Sequence, residues 1–481
     1  MSNHRFDVVI IGAGISGIGA AYYLQKKCPG KSYTILEGRE ALGGTWDLFR
    51  YPGIRSDSNM LTMAYSFKPW GETKTTAKGE SIRNYVRETA LQYGIEQHIR
   101  YSQHVTRAEW SSADATWTIQ TQAGETYICD FLLLCSGYYS YKGGYSPEFK
   151  GRERFKGPVI HPQAWPEALD YSDKKIIVIG SGATAVTLIP ELAKKAAQVV
   201  MLQRSPTYMR PLPDEDPFAI KLRKYLPERL AYRLLRWRTI TLGQNFYRQA
   251  RTQPESTKQL MIDLVRDQLP PDYDIATHFT PRYNPWDQRV CLVPDGDLFQ
   301  AIRAKTASVV TDQIDTFTET GILLKSGQEL VADIIVTATG LKLEVMGGIE
   351  FIVDHQAVNF ANTVTYKGMM YSGVPNMVWT FGYINASWTL GVDLTGKFVC
   401  RLLNHMDKAG ARQCTPRLPE GTPIADQPWI KNFSSGYIQR SLHLMPKQAE
   451  NEPWINSQNH QHDKKIIEQS PVTDEGLIFE A

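Results

Sequence analysis

Residues 6–17 read FDVVIIGAGISG: a run from Phe6 to Ile11 that is apolar but for Asp7 and ends in the glycine loop Gly12 to Gly17. Such a run is what a strand buried on both faces requires. Gly12, Gly14 and Gly17 let the chain turn tightly and bring backbone N–H groups close to a pyrophosphate. The helix expected from Ser16 through Tyr22 to Leu24 aims its positive end at the same charge. Tyr33 to Leu36 is the next expected strand, and it places Glu37 about 20 residues beyond the loop, where a carboxylate accepts from ribose hydroxyls.

The same unit recurs. Lys175 to Ile179 (KIIVI) leads into GSGATA, made of Gly180, Ser181, Gly182, Ala183, Thr184 and Ala185 and followed by Val186. The strand Val199 to Leu202 then ends at Gln203–Arg204–Ser205. A carboxylate at this position repels a 2′-phosphate, whereas the Arg204 guanidinium pairs with one in a bidentate fork. One such loop is also what an ordinary strand–turn–helix carries. Two, each with strand, helix and second strand in order, imply two dinucleotides: FAD on Glu37 and NADPH on Arg204.

The chain of 481 residues is too long for one core and predicts two or three domains. Its formal charge of +3 gives no argument for nucleic acid. Six cysteines show neither a CxxC pair nor metal-ligand spacing, so neither a dithiol–disulfide reductase nor a metal site is expected. They read as reduced thiols of a cytoplasmic protein. A first strand starting near Phe6 leaves no room for a signal peptide, and no apolar run reaches transmembrane length.

The expected fold class is α/β, with two Rossmann-like dinucleotide-binding domains and a helical insertion in the second. The FAD-binding part spans 1–142 and closes with FLLLCSG, Phe131 to Gly137. A linker over 143–170 leads to the NADP-binding part, 171–209. A helical insertion over 210–288 interrupts that part, which resumes over 289–340 and ends in DIIVTATG, Asp333 to Gly340. Residues 341–481 return to the first domain. Within the insertion, Arg223, Arg229, Arg233, Arg236 and Arg238 read as a solvated face, with Leu226, Leu230, Leu234 and Trp237 on the core side. A helix lying on a membrane surface is the alternative.

Two further stretches carry chemistry. GGTWDLFRYPGIRSD, Gly43 to Asp57, lets backbone pass close to a flat ring at Gly43 and Gly44, sets Trp46 to pack on it, and delivers the Asp57 carboxylate. FKGPVIHPQAWP, Phe155 to Pro166, holds His161 in a hinge-like aromatic setting, where a hydrogen-bonded structural histidine is expected ahead of a base. The Phe155–Gly157–His161–Trp165–Pro166 and Gly44–Trp46–Tyr51–Pro52–Gly53–Asp57 patterns resemble the two fingerprints of type I Baeyer–Villiger monooxygenases. The wording of GTWDLFRYPGIRSDS, LCSGYY, IGSGATAVTL, LQRSPTY, YNPWDQR and ASWTL is similar to the ethionamide-activating group of that family, over essentially the whole chain.

The resemblance implies that Ser16, Glu37, Thr45, Trp46, Asp47, Leu48, Asp57 and Val105 contact FAD. Arg55, Ser56 and Asp57 fall where flavin and nicotinamide meet, and Gly180 to Val186 with Arg204 and Ser205 fall on NADP. Arg289 matches the active-site arginine. The family often has lysine just before that arginine. Here it is Gln288, so Arg204 carries more of the NADPH preference and discrimination against NADH is weaker. The implied reaction is flavin reduction by NADPH, reaction with O₂ to a C4a-peroxyflavin, and conversion of a ketone to an ester or lactone, with sulfide oxygenation alongside. A flavin monooxygenase acting mainly on sulfur or nitrogen is the alternative, and a non-enzymatic NADPH-binding protein a third. Trp379, Phe381, Tyr383 and Trp388 suggest an apolar substrate pocket, or equally core.

Overall fold

The strand expected at Phe6–Ile11 runs from Asn3 to Ile11, in a computed structural model that describes residues 3–481. The first two positions of the expected first segment lie outside the described residues. Val8, Val9 and Ile10 are fully buried, as an apolar run flanked by strands and covered on both faces must be. This strand pairs in parallel with Tyr33–Leu36 on one side and with Thr126–Leu134 on the other. Among the described residues the sheet has nine strands, and its outer half turns antiparallel through Thr116–Thr121 and Val105–Ser111. Met377–Trp379, from the stretch that follows the second unit, adds in parallel to Thr126–Leu134. The helix Ile15–Lys27 covers the sheet and packs against Trp388–Ala409.

The second sheet is parallel throughout, in the order Ala307–Thr311, Gln198–Gln203, Lys175–Ile179, Ile334–Thr337 and Val159–Ile160. Its edge strand, Val159–Ile160, comes from the stretch read as a linker. Four helices follow Met209–Leu212: Pro217–Tyr225, Glu228–Thr252, Pro254–Arg266 and Ile275–His278. The chain then returns at Cys291–Pro294, which pairs in parallel with Met209–Leu212. The chain therefore has two Rossmann-like units, the second with a helical insertion.

One expectation within the insertion is overturned. On Glu228–Thr252 the buried positions are Ala231, Tyr232, Leu235, Arg236 and Ala250, whereas Leu230, Leu234 and Trp237 are 45%, 43% and 68% exposed. Polar contacts decide the face. Tyr232 donates to the carbonyl of Tyr65 at 2.9 Å, and Arg236 donates to the carbonyls of Thr62 and Ala64 and pairs with Asp393 at 2.9 Å. A buried guanidinium with these partners turns the leucine face outward.

Candidate active site

Both glycine loops open into a single cavity of about 1260 Å³. The first contributes Gly12, Gly14 and Ser16; the second contributes Gly180, Ser181, Gly182, Ala183 and Thr184, with Arg204 and Ser205 nearby. Each loop starts a helix that no side chain caps, at Gly14 and at Gly182, so the first N–H groups of both helices are left for a ligand. A Cβ built on Gly182 meets no protein atom within 4 Å, so a side chain there would fill the cradle instead of packing.

Glu37 is buried and serves the loop itself. Its Oε2 accepts from the Ala13 N–H at 2.7 Å and its Oε1 from the Arg39 N–H at 2.9 Å. Burial raises its pKa, against the lowering effect of those two hydrogen bonds. Ser16 Oγ accepts from the Trp388 indole N–H at 2.8 Å, and Tyr138 stacks on that indole at 5.1 Å. Trp388 therefore lines the cavity, while Trp379 lies in the core stacked on Trp429.

Thr45, Trp46, Arg55, Ser56, Asp57 and Val105 also line the cavity, as does Gly44. Asp47, Leu48, Gly17, Ala185 and Val186 do not. Asp47 is buried and pairs with Arg39, Arg50 and Arg83. Gly17, Ala185 and Val186 are packed beneath their loops. Arg55 is paired through both guanidinium nitrogens with Asp297, in the first turn of Asp297–Arg303. Nothing near Asp297 in the sequence marks it, since its partner lies 242 residues away.

Asp57 and Arg289 meet in the same cavity. Arg289 Nε donates to Asp57 Oδ2 at 3.0 Å, Nη2 lies 2.7 Å from that oxygen, and Nη1 donates to the Ile384 carbonyl at 2.7 Å. A guanidinium carries five N–H donors, so donors remain for a further anion. Burial alone works to lower the pKa of Arg289. The Asp57 carboxylate, with Tyr437, Tyr138 and Tyr139, overcomes this and raises it above the ordinary arginine value. Tyr138 and Tyr139 join hydroxyls at 2.8 Å beside it. Gln288 lines the cavity next to Arg289. Arg204 is exposed at the rim and carries no ion pair among the described residues.

His161 Nδ1 accepts from the Gln163 N–H at 3.2 Å, so Nε2 carries the proton and donates to the Gly340 carbonyl at 3.1 Å. Burial pulls its pKa down. With both nitrogens engaged it joins the 143–170 stretch to the exit of the strand Ile334–Thr337, the structural part expected of it. Among the described residues no group of His, Cys, Asp and Glu can hold a metal ion, and no helix is long and apolar enough to cross a membrane.

These features fit two dinucleotides meeting head to head: two uncapped helix starts, one carboxylate-braced loop, one loop with an unpaired arginine at its rim, and one shared cavity. The fold and site define an oxidoreductase of the two-dinucleotide flavoprotein class. The family model described as pyridine nucleotide-disulphide oxidoreductase matches residues 9–263. All six cysteines here are free and buried, and the sequence has no CxxC pair for the disulphide chemistry in that description. The chain is 52% identical to the FAD-containing monooxygenase EthA of Mycobacterium tuberculosis and to EthA of Mycolicibacterium smegmatis, covering 100% of this chain and 98% of each relative. It belongs to the EthA-type FAD-containing monooxygenases. Its fold matches an oxidized steroid monooxygenase bound to NADP (TM-score 0.79, 22% identity, 99% of both chains). It also matches cyclohexanone monooxygenase with ε-caprolactone bound (TM-score 0.78, 18% identity, 99% of this chain and 100% of that one).

Proposed function

We propose that this chain is an FAD-containing, NADPH- and O₂-dependent monooxygenase of the Baeyer–Villiger type, converting ketones to esters or lactones. The observation that carries the reading is the Asp57–Arg289 pair, set in the cavity that both glycine loops share. When bound, the flavin accepts hydride from NADPH and activates O₂; the residues of the chain supply the setting. Attack on a ketone carbonyl builds negative charge on its oxygen, and a cation that keeps its proton stabilises that charge without quenching it. Arg289 is that cation, and Asp57 and the Ile384 carbonyl aim it. Tyr138, Tyr139 and Trp388 wall the site with aromatic surface and exclude water.

The first glycine loop, Glu37, Gly44 to Trp46 and Val105 hold FAD; the second loop with Arg204 and Ser205 holds NADPH. On this reading Asp47 and Leu48 support the flavin loop from behind. We assign residues 1–142 and 341–481 to the FAD-binding domain, 171–209 and 289–340 to the NADP-binding domain, 210–288 to the insertion and 143–170 to a linker whose Val159–Ile160 joins the second sheet. The six buried thiols suit a cytoplasmic setting. Oxygenation of a thioether builds no carbonyl oxyanion and gains less from Arg289, so the ketone reaction ranks first. The experiment is the purified holoprotein with NADPH, air and either an aliphatic ketone or a thioether, with products identified by mass spectrometry. Ester formation is expected. Sulfoxide with no ester from any ketone in a panel would overturn the reading.

A further inference from the structure

Around Pro217–Tyr225 and Glu228–Thr252 the surface is apolar where a protein surface is ordinarily polar. Leu230, Leu234 and Trp237 recur at helical spacing and form one outward stripe. On the neighbouring helix Phe218 is 48% and Tyr225 69% exposed. Arg238 ties the helices together, pairing with Asp216 at 2.7 Å and covering the Phe218 ring at 4.7 Å, so the two apolar sets form one patch.

Charge separates in the same place. Residues 217–238 hold seven Lys or Arg against the single Glu228, a surplus of six, while the whole chain is only +3, so the rest of the molecule is net acidic. Arg236 and Arg238 are neutralised by Asp393 and Asp216, and Arg223 is spent on the carbonyls of Trp70 and Glu72. Lys221, Lys224, Arg229 and Arg233 have no ion pair among the described residues. Arg229 and Arg233 stand beside the leucine stripe.

We infer that this two-helix face docks on an anionic lipid surface, with Leu230, Leu234 and Trp237 entering the acyl boundary and the four free cations among the headgroups. An apolar stripe with aromatic residues and flanking lysine and arginine is the pattern of a helix lying in a membrane interface. The long basic side chains extend to the headgroups while their stems lie on apolar surface. A second copy of the chain is a poorer occupant, because a two-fold contact would set each arginine cluster against its own copy. The inference stands independently of the reaction proposed above.

The test is co-sedimentation of the full-length holoprotein with vesicles of phosphatidylcholine alone and of phosphatidylcholine mixed with phosphatidylglycerol. Binding to the mixed vesicles, weakened by added salt, is expected. Leu230→Ser/Leu234→Ser/Trp237→Ser should lower it by about tenfold or more, and Arg229→Glu/Arg233→Glu should lower it at low salt. Because all five side chains point outward, both variants should keep the wild-type circular dichroism spectrum and melting temperature. Absent wild-type binding, or equal binding by the triple variant, overturns the inference. So does light scattering that shows a wild-type dimer dissolved by the triple substitution without any vesicle binding.

Discussion

Arg289 is held charged by its neighbours, and its environment explains why the position needs arginine and not merely a positive charge. Burial works against the cation, yet Asp57, with three tyrosines, outweighs it and raises its pKa above the ordinary arginine value, which favours the charged form. Its planar fork engages Asp57 along one edge and the Ile384 carbonyl at another corner, which leaves a defined direction for the remaining donors. Lysine restores the charge without the fork. Arg289→Ala is expected to lower ester formation by about 10²–10³ while NADPH oxidation in air continues, as for the loss of one oxyanion donor. Arg289→Lys should fall between. Product formed per NADPH consumed is the measurement, and an unchanged ratio in the alanine variant would sink the role given to this residue.

At the scale of the element, each glycine loop has a position that tolerates no side chain, Gly17 in the first and Gly180 in the second. A Cβ on Gly17, inside the helix Ile15–Lys27, would stand 1.9 Å from the carbonyl oxygen of Gly12. Gly17→Ala must therefore spread the turn, at an expected cost of about 1–3 kcal/mol. The purified variant should carry less flavin, read from visible absorbance per mole of protein; full flavin content with an unshifted melting temperature would refute this. These turns were legible in the sequence because strand, loop, helix and second strand are contiguous. Tyr33–Leu36 and Lys175–Ile179 begin and end where the apolar runs do. Asp57 was legible in its own stretch, but Arg289, 232 residues away, was legible only through resemblance. The outward face of Glu228–Thr252 was misread for a related reason. Helical spacing shows that Leu230, Leu234 and Trp237 share a side, but which side is buried depends on Asp393, 157 residues from Arg236. Asp297 and Tyr437 escaped notice, and Trp388 read only as pocket or core, because their importance lies in what the fold sets beside them.

For the molecule as a whole, the Arg236–Asp393 pair is the contact on which the insertion's attachment turns. Arg236 belongs to the insertion, Asp393 to the helix Trp388–Ala409, and Tyr23, on Ile15–Lys27 behind the first glycine loop, donates to the other carboxylate oxygen at 2.9 Å. Both charged side chains are less than one tenth exposed. A buried pair contributes little over a well-packed apolar replacement, but breaking it strands one charge in the interior. Arg236→Met is therefore expected to destabilise the protein by about 3–5 kcal/mol, leaving Asp393 without its counter-charge. Arg236→Met with Asp393→Leu should recover most of that loss, because Tyr23 keeps Ser66 as a partner at 3.1 Å and no ion remains unpaired. Urea midpoints of wild type, both single variants and the double variant form the cycle. If the double variant is as unstable as the sum of the singles, the two side chains are not coupled, and the insertion's attachment does not turn on this pair.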